Sequence, residues 1–67
     1  MKVLDIISNN QGENLFVITS MDVSDSSQVL TLVEVNPNNT REYLYPDIEP
    51  MLISMNELQA YYKKISS

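Results

Sequence analysis

A chain of 67 residues with neither cysteine nor histidine has to hold itself together by packing. Disulfides are ruled out, and the zinc, haem and iron–sulfur sites that staple many small domains lose their usual ligands. A chain this short buries only about 60% of the surface its unfolded form exposes. Its elements must therefore be regular and share one core, with self-association as the remaining aid. This points to a single small domain over residues 1–67. Hydrophobic residues make up 43% of the chain, an ordinary globular share that argues for order over about residues 2–65.

Periodicity divides the chain into short strands followed by one helix. Residues 2–8 are rich in aliphatic and β-branched side chains and are predicted as a strand. Gly12, the only glycine, falls where a hairpin loop would want positive φ. A second strand is expected at 14–21, apolar on both faces, and a third at 28–35. Asn36-Pro37-Asn38-Asn39-Thr40 is the clearest turn. A fourth strand at 41–45 would place Tyr43 and Tyr45 on one face and Leu44 on the other. Pro46 and Pro50 bracket an irregular link, after which 51–53 reads as a short fifth strand.

Ser54-Met55-Asn56-Glu57 has the form of a capping box, with Ile53 and Leu58 as its hydrophobic staple. Met55, Leu58, Tyr62 and Ile65 then recur at helical spacing, which predicts a helix over about 55–65. Lys63 and Lys64 would sit in its last turn, where the helix dipole favours cations. The expected core is Ile6, Val17, Ile18, Leu30, Leu32, Leu58 and Ile65.

The fold class expected is α+β: an antiparallel meander of four to five strands with a C-terminal α-helix packed on it. The layout resembles small SH3-like domains, a resemblance of arrangement and not of motif. It leaves two architectures open, an SH3-like barrel and an open sheet. The barrel would cover both apolar faces within one chain, so a monomer is preferred over a homodimer.

The chemistry visible in the chain is sparse. Nucleophilic catalysis needs a nucleophile, a base and an orienting group, and histidine and cysteine are missing. No enzyme activity, cofactor or metal is expected. Asp22-Val23-Ser24-Asp25-Ser26 imitates the start of a calcium loop, but Ser27 and Val33 stand where glycine and a bidentate glutamate are needed. Asn38-Asn39-Thr40 matches a glycosylation acceptor and is read as a turn tip. Asp5 interrupts the N-terminal apolar stretch, so no secretory signal is expected, and no apolar run reaches the roughly 18 residues of a membrane span. The expectation is a cytoplasmic protein.

Charge narrows the partners. Residues 1–53 set Lys2 and Arg41 against eight carboxylates, and residues 54–67 set Lys63 and Lys64 against Glu57. A formal net charge of −5 disfavours phosphate backbones, so direct nucleic-acid binding is not expected, and without a long apolar run neither is a membrane. The partner is expected to be another protein. The residues expected to meet it are Tyr43, Tyr45 and Tyr61, rimmed by Glu42, Asp47 and Glu49, because tyrosines inside a polar rim suit an interface. An acidic inhibitor that mimics nucleic acid and occupies a basic groove is the alternative. In that reading Asp22 and Asp25 join the stretch Glu42–Glu49. Small size and missing catalytic chemistry suit a bacterial or phage accessory or regulatory protein.

Overall fold

The computed structural model describes residues 2–9, 12, 14–24 and 27–66. It is a small antiparallel sheet with one short helix near its C-terminal end. The strands are β1 (Ile6–Asn9), β2 (Leu15–Ser24), β3 (Ser27–Asn36), β4 (Asn39–Tyr43), β5 (Met51–Ser54) and β6 (Tyr62–Ser66), with helix α1 (Met55–Tyr61) between the last two. Their order across the sheet is β4-β3-β2-β1-β6, and β5 also pairs with β3. The sheet is open.

The meander is as the sequence implies, with longer central strands. β2 and β3 run ten residues each and pair along their whole length, from Leu15 opposite Val35 to Ser24 opposite Ser27. A bulge at Thr19 inserts one residue between the pairs Ile18–Leu32 and Ser20–Thr31. An extra residue resets the alternation. Ile18 and Met21, three apart, thereby project to the same face as Leu32 and Leu30. Gly12 has φ 74°, the left-handed conformation expected of it. The turn before β4 is closed by the Asn38 amide donating to the Asn36 side-chain oxygen at 2.9 Å.

Alternation puts one apolar cluster on each face of the sheet. The larger holds Ile7, Ile18, Leu30, Leu32, Ile53 and Leu58, with Phe16, Met21, Met51, Met55 and Tyr62 packed against it. The second holds Ile6, Val17, Val33 and Val35, with Leu15 beside it. Six of the seven expected core residues are buried. The seventh, Ile65, is 52% exposed.

That exception belongs to the largest correction. The helix expected over 55–65 stops at Tyr61, and Tyr62–Ser66 is a strand paired with β1. Ser54 does cap the helix: its hydroxyl accepts the Glu57 amide at 3.2 Å. Ile53 and Leu58 share the main cluster, as a staple requires. Lys63 and Lys64, however, lie on an edge strand and not in a helical turn. β1 offers an open backbone edge, and a seven-residue helix has little intrinsic reason to extend across it. Pairing with that edge satisfies backbone groups of both strands at once.

Other boundaries shift less. β1 begins at Ile6 and not at residue 2, because Val3-Leu4 forms a turn with Leu4 at φ 76°. β4 ends at Tyr43, so Tyr45 lies in the link and not on a strand face beside it. The Tyr45–Pro46 peptide is cis. The segment between the expected second and third strands, Asp22–Ser27, is mostly strand: Asp22–Ser24 close β2 and Ser27 opens β3, while Asp25 and Ser26 lie outside the described residues.

Candidate functional site

Among the described residues no group of three or more histidine, cysteine, aspartate or glutamate side chains is arranged to hold a metal ion. The best-formed depression is small, about 270 Å³, and is lined by Ser27, Gln28, Ser54, Met55 and Asn56. It offers hydroxyls and amides but no base or charged group, so it has nothing with which to move a proton. Among the same residues no helix is long and apolar enough to cross a membrane.

The sequence-designated surface lies at β4 and the link after it. β4 is an edge strand that pairs with β3 at Val35–Tyr43 and Asn36–Asn39. Beyond it, the Leu44 amide donates to the Glu34 carbonyl at 2.9 Å, and the Ile48 amide donates to the Leu44 carbonyl at 2.8 Å. These bonds fix the link to the sheet while the side chains of residues 45–50 stay exposed. Tyr45 is 61% exposed, and Tyr43 and Ile48 are also exposed. Glu42, Asp47 and Glu49 are exposed around them. Glu42 is oriented by the Asn36 side-chain amide, which donates to it at 2.6 Å.

Tyr61 is 64% exposed, on the outside of α1. The main neighbours of α1 are β6, β3 and β5, whereas that of β4 is β3. Tyr61 thus stands on a different element from Tyr43 and Tyr45. Tyr62 points the other way. Its ring meets Phe16 edge-on, with centroids 5.7 Å apart and planes at 79°. Burial, and secondarily the charge of Glu57, push the Tyr62 phenol above its ordinary value.

Ile48 is the residue that sequence reading left out. It sits between two carboxylates in a link bracketed by prolines. An aliphatic side chain in so polar a setting was the signal. Comparison with protein-family models, with characterised proteins and with solved structures finds no match to this chain.

Proposed function

We propose that this is a non-enzymatic protein that acts by protein–protein contact through β4 and the link that follows it. The observation that carries the reading is the exposed set Tyr43, Tyr45 and Ile48 set among Glu42, Asp47 and Glu49. Aromatic anchors exclude water at an interface centre, while a charged rim selects the partner. The rim here is acidic, so the matching surface is an apolar recess edged by lysine or arginine. Exposed tyrosines on a tethered segment suit this role because they present large area with few rotamers to lose.

The proposal includes a monomer working in the cytoplasm. A buried cluster on each face of the sheet supports the monomer, since each is covered within one chain. The SH3-like assignment remains a proposal too, supported by an antiparallel meander with a single short helix before its last strand.

Tyr45→Ala tests the surface. It should reduce partner retention by about tenfold or more with the melting temperature unchanged, as for an interface hot spot. Tyr61→Ala asks whether α1 belongs to the same surface: weakened binding by a folded variant would include it. Salt separates this reading from a nucleic-acid mimic. A contact anchored by tyrosines should survive added salt, whereas a carboxylate array in a basic groove should release.

A further inference from the structure

Among the described residues Asp5 is the one charged side chain that is wholly buried. It sits between the Val3-Leu4 turn and β1, fixed by backbone bonds. Leu4 donates to the Ile18 carbonyl at 2.8 Å, Ile18 donates to the Asp5 carbonyl at 3.1 Å, and Asp5 donates to the Lys2 carbonyl at 3.1 Å. Its carboxylate is less well served. Oδ2 accepts the Lys2 backbone amide at 2.9 Å and lies 3.7 Å from Lys64 Nζ. Oδ1 has no hydrogen-bond partner among the described residues.

Lys64 comes from β6, the edge strand opposite β1, where it pairs with Ile7. β6 contributes little apolar burial of its own: Tyr62 is half-buried, while Lys63 and Ile65 are exposed. Its side-chain hold on the sheet is therefore Tyr62 against Phe16 and Lys64 against Asp5. A buried carboxylate with an unpaired oxygen is costly, and it is kept tolerable by a nearby cation. Detaching β6 would remove that cation and return water to Asp5. The same charge thus favours the closed strand when Lys64 is present and the open strand when it is not.

We propose that the Asp5–Lys64 pair is a latch, and that β6 is a strap that opens as a unit, without unfolding β2–β5, when the pair is broken. Opening bares the β1 edge from Ile6 to Asn9, a row of backbone donors and acceptors that an added strand can use.

Residue-resolved hydrogen exchange on the full chain tests this. Lys64→Met keeps most of the stem but removes the charge. It should speed exchange of the β6 amides at Lys63 and Ile65 by about tenfold or more, leaving β2 and β3 protected as before. Lys64→Arg keeps the charge and should keep the protection. In an Asp5→Asn background, Lys64→Met should change β6 exchange by less than about twofold. If that background does not fold, the Met and Arg variants decide alone. Unchanged β6 exchange in Lys64→Met, an equal loss in all strands, or equal effects of Met and Arg would each overturn the latch.

Discussion

Ser54 ends one element and starts another. It is the last residue of β5, its φ and ψ of −80° and 158° are still extended, and its hydroxyl accepts the Glu57 amide. A side-chain oxygen there replaces the partner that a first-turn amide lacks. Ser54→Ala should cost about 0.5–2 kcal/mol, read as a lower urea midpoint at unchanged slope. Tyr62 makes a second residue-scale case. Its folded-state pKa lies above the ordinary 10.0, because burial and then Glu57 disfavour the phenolate. The fold therefore gains stability from neutral Tyr62 that is fully present below the unfolded value. That gain is lost as pH rises from there through the raised folded value. Melting temperature should fall across that alkaline window, and Tyr62→Phe should flatten this part of the fall. An identical alkaline profile in the variant would remove Tyr62 as the cause.

At the scale of elements, the central hairpin and the last strand differ in their sensitivity to truncation. Leu32 pairs with Ile18 and Met51 and is buried in the main cluster. Leu32→Ala should cost about 2–5 kcal/mol, enough to unfold much of a small domain. Ile65→Ala should cost under about 1 kcal/mol, because Ile65 stands in solvent on β6. A helical stripe would make Ile65 as sensitive as Leu32, so the pair of denaturation curves separates the two arrangements. Periodicity made β2, β3, the Asn36–Thr40 turn and the start of α1 legible, because each is set by neighbours in sequence. β6 was not legible. Met55, Leu58, Tyr62 and Ile65 satisfy a helical spacing, but the open edge of β1 that captures Tyr62–Ser66 lies more than fifty residues away in the chain. The buried state of Asp5 is hidden for the same reason: its cation comes from that strand. For the candidate surface, composition exposed the tyrosines and carboxylates of 42–49, while the fold separated Tyr61 from them and added Ile48.

For the whole molecule, each face of the sheet carries its own buried apolar cluster, so one chain has the means to cover both. Sedimentation over a wide concentration range should accordingly give a single monomer. A concentration-dependent rise in mass would instead assign one face to a second copy. The exposed residues of β4 and the 44–50 link are then the surface proposed for a different protein. The most direct measurement immobilises the wild-type chain and its Tyr45→Ala variant and compares what each retains from the native cell's extract, washed at about 0.1 M and then about 0.5 M salt. A protein held by the wild type through both washes, and lost by a folded Tyr45→Ala variant, is the predicted result. Equal retention by both chains, or full release of the bound protein by the higher salt, would contradict a contact anchored on these tyrosines.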